Sequence, residues 1–250
     1  MRPLNDFVLD DGYRLGLGAF ETISVKNGKG ILLPYHLERL LNALDTLEIP
    51  MPLSLEEDIA YHISRMPVNE DVLRISVSQN NTVWETRKNA YTNEHYTQGF
   101  SLIFSSTRRN ETSPLTGIKS LNQGDNFLQR RLALRSGYDE AVFLNSKGEL
   151  TEGTVSNLFF ISNKQLYTPA ANCGLLAGTV RRWLLENYDV KEIHILPNDL
   201  ESFQEMFISN ALLGIMPVFR LGTHNFPERT VTYELLDLYR KMTEGSSGKF

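Results

Sequence analysis

The amino-acid sequence predicts a mixed α/β (α+β) fold of two domains. The chain has 250 residues, enough for one large domain or two modest ones with their own cores. Alternating apolar residues, typical of strands, are interspersed with helical periodicity in both halves. The polar stretch Thr107–Thr116 offers little that could pack into a core and therefore indicates a linker. We thus predict a small α/β domain at residues 1–109 and a larger α/β domain at residues 110–250.

In the first half, apolar spacing and turn residues define the elements. The predicted strands are Ala19–Val25, Ile31–Leu33, Leu73–Val77 and Phe100–Phe104, with a hairpin turn at Asn27–Gly30. A helix is predicted from about Pro34, closed by Pro50, and a second over Ser54–Met66. Ser54 and Glu57 have the spacing of a capping box. The polar segment Gln79–Gln98 is weakly periodic and predicts an irregular loop.

The predicted helices and strands are more clearly defined in the second half of the chain than in the first. Helices are predicted at Asn122–Ser136, ending at Gly137, and at Gly178–Tyr188 and Val231–Met242. The predicted strands are Ala141–Leu144, Asn157–Ile161, Leu166–Tyr167, Lys191–Leu196, Met206–Ser209 and Ile215–Arg220. We therefore expect a sheet-rich second domain with few helices.

Composition and charge narrow the classes of function. Hydrophobic residues make up 41% and charged residues 22%, which excludes wholesale disorder. The 25 basic and 30 acidic residues leave a net charge of −5, so nothing favours nucleic acid or an anionic membrane as a partner. No segment approaches the roughly 18 apolar residues of a membrane span, and residues 1–20 do not resemble a signal peptide. With Cys173 as the single cysteine, we expect a cytoplasmic protein.

The sequence shows no local spacing typical of a metal site. The five histidines are scattered and none lies at a useful spacing from another ligand: His36, His62, His95, His194 and His224. We therefore predict no metal. Glycine-rich phosphate loops and the serine-nucleophile motif are also missing from the sequence.

Three segments carry groups that suit a shared task. Lys119 is flanked by apolar Ile118 and Leu121, where burial would favour the neutral amine that forms a Schiff base. Glu152 places a carboxylate between two strands, and Thr179 begins a helix whose amides could bind an anion. Alone, these are more typical of a solvated charge, a hairpin turn and an ordinary helix start. Together they are the three anchors that pyridoxal phosphate requires.

At these residues the sequence resembles the class IV aminotransferase family, the fold-type IV pyridoxal-phosphate enzymes. The family includes branched-chain and D-amino acid aminotransferases and 4-amino-4-deoxychorismate lyases. The resemblance covers nearly the whole chain and is most specific at Ile118–Asn122 and Leu150–Phe159. It also includes Phe20–Thr22, His36–Leu40, Asp139–Ala141 and Met216–Val218. It implies the two-domain D-amino acid aminotransferase-like fold, pyridoxal 5'-phosphate as cofactor and residues 110–250 as the cofactor-binding domain.

The family's roles at matching positions give a candidate site. The resemblance implies that Lys119 forms the Schiff base with the cofactor and serves as the catalytic acid and base. It implies that Glu152 pairs with the pyridine nitrogen and that Arg39 holds the phosphate. Further phosphate contacts are implied at Thr179, Val180, Ser209 and Asn210. The resemblance also implies a homodimer that acts on a small-molecule amino substrate.

One segment directs the choice of reaction. Transaminase members usually carry a Thr/Ser-rich run followed by glutamate, whereas Asn210-Ala211-Leu212 is similar to 4-amino-4-deoxychorismate lyases. We therefore predict conversion of 4-amino-4-deoxychorismate to 4-aminobenzoate and pyruvate, a step toward folate. A D-amino acid or branched-chain aminotransferase is the alternative, since these three residues could serve only to pack a strand end.

Two departures from the family pattern leave a further alternative. Members usually have Gly-Ile-Thr or Gly-Val-Thr where this chain has Gly178-Thr179-Val180, so the hydroxyl is displaced by one position. Many members also have Arg-Gly after the strand that ends here before Gln79 and Asn80. On these grounds the alternative is a non-catalytic relative that binds pyridoxal phosphate without turnover.

Overall fold

The computed structural model describes residues 7–245, so residues 1–6 of the predicted small domain and residues 246–250 lie outside the described part. The mixed α/β class is confirmed. The helices are α1 Asp11–Leu15, α2 Leu33–Thr46, α3 Leu55–Ser64, α4 Asn93–Gln98, α5 Gly124–Arg135, α6 Thr179–Asn187 and α7 Thr230–Glu244. The strands are β1 Gly18–Lys26, β2 Lys29–Gly30, β3 Val72–Ser78, β4 Thr82–Arg87, β5 Phe100–Arg109, β6 Glu140–Asn145, β7 Leu150–Gly153, β8 Asn157–Ser162, β9 Gln165–Pro169, β10 Val190–Ile193, β11 Glu205–Asn210, β12 Gly214–Leu221 and β13 His224–Asn225.

The chain divides into two compact units. The first contains the described residues up to Ala90 together with Ile118–Gln123, and the second contains Tyr91–Gly117 and the residues from Gly124 onward. The division therefore lies between residues 90 and 91 rather than between 109 and 110 as predicted. The reason is β5, which pairs with β6 and β12 of the second unit and carries residues 100–109 with it.

The first unit is built on an antiparallel sheet in the order β2-β1-β3-β4. Helix α2 packs on β1 because its buried side chains His36, Leu40, Ala43 and Leu44 recur at helical spacing. These meet the inward residues of β1 and β3, including Ile23 and Ile75. The sheet and α2 thus form one core, and they fix the residues of β1 that face α2.

Three local predictions in the first unit are wrong. Ile31 begins a turn rather than a strand, and α2 starts at Leu33. Within the described residues the Ser54 side chain makes no cap hydrogen bond, so the capping box is not formed. The predicted loop Gln79–Gln98 contains β4 and α4, the latter in the second unit. Strand β4 was not predicted because it is a half-exposed edge strand in which polar residues surround its two apolar side chains, Val83 and Trp84.

The second unit is a nine-stranded sheet that closes on itself. Its strands follow the order β10-β9-β8-β11-β12-β5-β6-β7, and β7 also pairs with β8, while β13 pairs with β12. The run from β8 to β7 is therefore a ring of six strands. Its core is apolar and includes Leu102, Val142, Leu158, Ile208 and Met216, each fully buried.

Part of the predicted linker belongs to this ring. Residues 107–109 of the segment Thr107–Thr116 form the end of β5, where Arg108 and Arg109 pair with β6. The other predicted elements agree with the structure to within a few residues, whereas α1, β7 and β13 were not predicted. Gly137 has the positive φ of a helix C-cap, at 77°. No helix within residues 7–245 is long and apolar enough to cross a membrane.

Candidate active site

Lys119 is held against the beginning of β1 by backbone hydrogen bonds. The Phe20 N–H donates to the Lys119 carbonyl at 2.9 Å, and the Leu121 N–H donates to the Gly18 carbonyl at 2.8 Å. A bridge between Ala19 and Ser120 completes this short antiparallel pairing. The segment around Lys119 thus behaves as a short strand on an edge of β1 that β2 leaves uncovered.

The side chain of Lys119 is half-buried and lies over an aromatic ring. Its Nζ is 4.4 Å from the centroid of the Phe20 ring, and the guanidinium carbon of Arg74 is 3.9 Å from the same centroid. Phe20 is buried, so the amine of Lys119 lies over an apolar ring surface in a cation–π arrangement. This agrees with the environment that the flanking residues Ile118 and Leu121 predict.

Glu21 follows Phe20 on β1 and holds two side chains of α2. Glu21 is completely buried and accepts from Arg39 Nε at 2.7 Å and from Arg39 Nη2 at 2.8 Å. His36 Nδ1 is 2.6 Å from Glu21 Oε2. The carboxylate therefore fixes the guanidinium plane of Arg39 through a two-point ion pair. Two of the five N–H donors of Arg39 point at Glu21, so the predicted phosphate role would use the others.

The electrostatics of this cluster keep Glu21 ionised. Burial alone would raise the pKa of Glu21, but the charge of Arg39 and the hydrogen bonds from Arg39 and His36 outweigh it and hold the pKa well below its usual range. Burial lowers the pKa of His36, with Arg39 and Lys119 acting in the same direction. The His36 ring is therefore neutral at neutral pH and donates its Nδ1–H to Glu21.

In the second unit, Glu152 lies on β7 as a buried carboxylate rather than in a turn. Its Oε1 is 2.9 Å from Arg109 Nη2, and its Oε2 accepts from the Leu176 N–H at 2.9 Å. The Arg109 guanidinium carbon lies 4.0 Å from the Phe143 ring centroid. Glu152 is thus paired with a cation that is itself fixed by stacking on an aromatic ring.

Sheet register aligns three buried polar residues across neighbouring strands. Glu152 on β7 is opposite Asn157 on β8, and Asn157 is opposite Ser209 on β11. Residues directly opposite in a sheet point to the same face, so these side chains form a row. Ser209 Oγ is buried and has no hydrogen-bond partner among residues 7–245. A buried hydroxyl without a partner is costly, which indicates a site for a polar group that the chain itself does not supply.

Asn157 connects this row to the start of α6. Its Oδ1 accepts from the Gly178 N–H at 3.1 Å, and its Nδ2 donates to the Leu176 carbonyl at 2.8 Å. A Cβ on Gly178 would overlap Asn157 Oδ1, so this close approach requires glycine. The helix then begins at Thr179 and Val180, both buried, with a positive N-terminus that Gly178 cannot cap by a side chain.

A second buried carboxylate holds the turn between β7 and β8. Glu140 Oε1 accepts from Thr154 Oγ1 at 3.2 Å, from Val155 N–H at 2.7 Å and from Ser156 Oγ at 3.0 Å. A Cβ on Gly153 would overlap Glu140 Oε1, which again requires glycine. Glu140 therefore fixes the turn that aligns Glu152 with Asn157.

Asn210, a predicted phosphate contact, closes the turn after β11. Its Oδ1 accepts from the Leu212 N–H at 2.8 Å and the Leu213 N–H at 2.9 Å. Its Nδ2 donates to the Val155 carbonyl at 3.1 Å. Each of these contacts shapes the turn, so Asn210 has a structural role there, whereas its neighbour Ser209 has a side chain directed into the buried row.

The structure thus gives two sets of predicted residues, each within its own unit. Lys119 and Arg39 belong to the first unit, while the second holds Glu152, Thr179, Val180, Ser209 and Asn210. Sequence reasoning missed the partners of these residues, namely Glu21, Arg109, Glu140 and Asn157. A charged or amide residue inside an apolar strand pattern could have revealed some of them, as with Glu21, which follows Phe20 and precedes Thr22 and Ile23.

Comparison with known proteins relates most of the chain to one family. The family described as amino-transferase class IV matches residues 18–221. The aminodeoxychorismate lyase of Bacillus subtilis is 27% identical, with 93% of this chain and 87% of that protein covered. The D-alanine aminotransferase of Staphylococcus epidermidis is 25% identical, with 95% and 92% covered. The crystal structure of 4-amino-4-deoxychorismate lyase from Pseudomonas aeruginosa matches with a TM-score of 0.87 at 26% identity, covering 97% of both chains.

Proposed function

Because this chain belongs to the class IV aminotransferase family of pyridoxal-phosphate-dependent enzymes, we propose that it cleaves 4-amino-4-deoxychorismate to 4-aminobenzoate and pyruvate. The family membership confirms the resemblance seen at the Lys119 and Glu152 segments. The Bacillus subtilis and Pseudomonas aeruginosa proteins carry the name of this lyase, which supports the proposal. The reaction would supply 4-aminobenzoate, a precursor of folate.

The residues of the second unit fit pyridoxal 5'-phosphate. Ser209 Oγ is a buried hydroxyl without a partner among the described residues, and α6 begins at Thr179 after Gly178, which has no side chain to cap the helix, and such an N-terminus suits a phosphate. Glu152 is a buried anion of the kind that a protonated pyridine nitrogen needs. We propose that Thr179, Val180 and Ser209 hold the phosphate and that Glu152 accepts from the ring nitrogen.

In the first unit, Lys119 and Arg39 are the residues to which the family resemblance gives a role toward the cofactor. Lys119 would bond covalently to the cofactor through its side-chain amine, and Arg39, oriented by Glu21, would contact the phosphate. When bound, pyridoxal phosphate provides an acceptor for the negative charge that develops next to the substrate amine. Lys119 would take the proton from the ring carbon that carries the amino group of the substrate. The carbon–oxygen bond to the enolpyruvyl group would then break, the leaving enolate would take up a proton at its methylene carbon to give pyruvate, and the ring would become aromatic.

The residues of the turn after β11 favour a lyase over a transaminase. A transaminase holds the carboxylates of small amino and keto acids in turn, and hydroxyls or unused backbone amides in this turn would suit that task. Here Ala211, Leu212 and Leu213 provide no hydroxyl, and the N–H groups of Leu212 and Leu213 donate to Asn210 Oδ1. A lyase needs no second substrate and can do without such donors.

The proposal is tested by offering the purified enzyme each kind of substrate separately. One reaction contains 4-amino-4-deoxychorismate alone, and the other contains D-alanine or L-leucine with 2-oxoglutarate. We expect 4-aminobenzoate and pyruvate in equal amounts in the first and no glutamate in the second. Glutamate in the second reaction with no product in the first would replace the lyase by an aminotransferase.

Substitution of Lys119, compared with that of a control lysine, tests whether product formation depends on the Lys119 amine. Lys119→Ala removes the amine that moves the proton, so product formation should fall to background. Lys241→Ala, an exposed lysine on α7, is the matched control and should leave the rate unchanged. Turnover by Lys119→Ala equal to that of the wild type would show that Lys119 is not catalytic. Cofactor absorbance without turnover on any amine substrate would favour the non-catalytic relative.

An aminotransferase is the second candidate. The 25% identity to the Staphylococcus epidermidis D-alanine aminotransferase over 95% of this chain favours it. The reaction with D-alanine or L-leucine and 2-oxoglutarate, described above, distinguishes the two activities.

We further propose that the enzyme is a cytoplasmic homodimer. The support is the family's usual assembly and the single cysteine, Cys173, which allows no intrachain disulfide. Sedimentation should give a species of about twice 28.5 kDa, and a single species of 28.5 kDa at working concentrations would contradict the dimer. Cell fractionation should recover the activity with the cytoplasmic enzymes.

A further inference from the structure

The second unit brings together a thiol, an imidazole and a carboxylate that the proposed reaction does not use. Cys173 ends a short 3₁₀ helix, His194 follows β10, and Glu149 precedes β7. The Cys173 sulfur is 3.4 Å from His194 Nδ1, and the same nitrogen is 3.0 Å from Glu149 Oε1. One ligand atom from each residue lies within 4.8 Å of the other two. The three residues are distant in sequence, which explains why no local spacing revealed them.

We propose that Glu149, Cys173 and His194 bind a divalent metal ion of the zinc type. Thiolate, imidazole and carboxylate are the three side-chain ligands of Zn²⁺, at bond lengths of about 2.0–2.3 Å. Ligand atoms around a tetrahedral ion with such bonds are about 3.3–3.8 Å apart, close to the 3.0 and 3.4 Å seen here. The mixed sulfur, nitrogen and oxygen set favours zinc over calcium or magnesium, which prefer oxygen alone. Three protein ligands leave a fourth position for water.

The ligands are oriented by a buried amide, as in established metal sites. Asn145 is fully buried, and its Nδ2 donates to Glu149 Oε2 at 2.7 Å and to the Cys173 carbonyl at 3.3 Å. Its Oδ1 accepts from the Glu149 N–H at 3.0 Å. One carboxylate oxygen is therefore occupied by Asn145, and the other faces His194. Such outer hydrogen bonds hold metal ligands in place before the ion arrives.

Access and chemistry are both compatible with metal binding. The His194 side chain is 47% exposed, so an ion can reach the cluster from solvent, while Cys173 is buried beneath it. When the sulfur–metal bond forms, the Cys173 thiol releases its proton to water, and no electrons are transferred. The bound ion would hold the start of the loop that continues to Leu176, whose N–H donates to Glu152.

Cobalt provides a direct test because Cys173 is the single cysteine of the chain. The full-length protein, loaded with pyridoxal phosphate and treated with a chelator, is titrated with Co²⁺ under anaerobic conditions. We expect intense visible bands of tetrahedral Co²⁺ that Zn²⁺ abolishes by displacement. Cys173→Ser should remove the sulfur-dependent intensity, because no other thiol can supply it.

Variants of two histidines control for the possibility that Cys173→Ser fails to fold. His194→Ala changes an exposed side chain and should weaken Co²⁺ binding by about 100-fold or more, since removal of an outer hydrogen bond alone costs 10–100-fold. His224→Ala, in β13, is the matched control and should bind like the wild type. Visible bands that persist in Cys173→Ser, or the absence of tetrahedral bands in the wild type, would overturn the proposal and leave a hydrogen-bonded cluster without an ion. Neither result bears on the lyase assay.

Discussion

Replacing Glu21 by glutamine tests whether a buried ion pair supports the first unit. The substitution keeps the size of the side chain but removes the charge that faces Arg39 at 2.7 and 2.8 Å. Removing one partner of a buried pair costs about 3–5 kcal/mol, because the other charge is left uncompensated. Arg39 retains 14% exposure and the glutamine oxygen can still accept one hydrogen bond, so we expect the lower end, about 3 kcal/mol.

Thermal unfolding measures this loss. For a protein of 150–250 residues, 1 kcal/mol corresponds to about 2–4 °C, so Glu21→Gln should lower the Tm by about 6–12 °C. Glu85→Gln is the matched control in the same unit. Glu85 is 61% exposed and 3.5 Å from Arg74, so its loss should cost less than about 1 kcal/mol. Equal shifts for the two variants would refute the argument.

A double substitution identifies the cause of the loss. If the uncompensated charge of Arg39 is responsible, Glu21→Gln combined with Arg39→Met should be less destabilised than the sum of the single variants by about 0.5–3 kcal/mol. Acidification gives an independent measure. The folded pKa of Glu21 lies below the 4.5 of a free glutamate, so its contribution is complete above pH 4.5. The stability difference between wild type and Glu21→Gln should shrink as the pH falls through the folded pKa.

Three further substitutions test the second unit. Glu152→Gln should retain the cofactor but lose about 100-fold in kcat, because it removes the anion that we propose for the pyridine nitrogen; a wild-type rate would show that Glu152 is only structural. Ser209→Ala should leave the Tm of the cofactor-free protein unchanged or slightly raised, since its Oγ is unpaired within residues 7–245, but weaken cofactor binding in a fluorescence titration by about tenfold. Gly178→Ala should lower cofactor affinity because its methyl group would displace Asn157, whereas Gly124→Ala, with no described atom within 4 Å, should not.

Local sequence patterns were sufficient for most elements and for choosing Lys119 and Glu152 as candidate site residues. Leu40 and Leu44 recur at helical spacing and therefore predicted α2, because periodicity reports directly which face is buried. Lys119 and Glu152 were found because their side-chain chemistry differs from that of the apolar segments around them. In these cases the information lies within a few residues of the position concerned.

The partners of these residues could not be found in this way. Arg109 was assigned to a linker because its segment is polar, yet it lies on β5 and neutralises Glu152 from a distant part of the sequence. The cluster of Cys173 and His194 depends likewise on how β7, β9 and β10 come together. Strand register and long-range pairing determine such contacts, and neither leaves a trace in local composition.

The closed ring of strands also constrains the order in which the second unit can fold. Strand β5 lies between β6 and β12, and its residue Phe100 is paired with Val218 of β12. Strand β5 therefore cannot be paired on both sides until β12 has been synthesised. Pairings between residues so distant in sequence pay a large loop-closure entropy and form slowly. During synthesis, β5 and β8 therefore emerge from the ribosome with open edges long before β11 and β12 are made. The growing chain is most prone to aggregation and most dependent on chaperones in that interval.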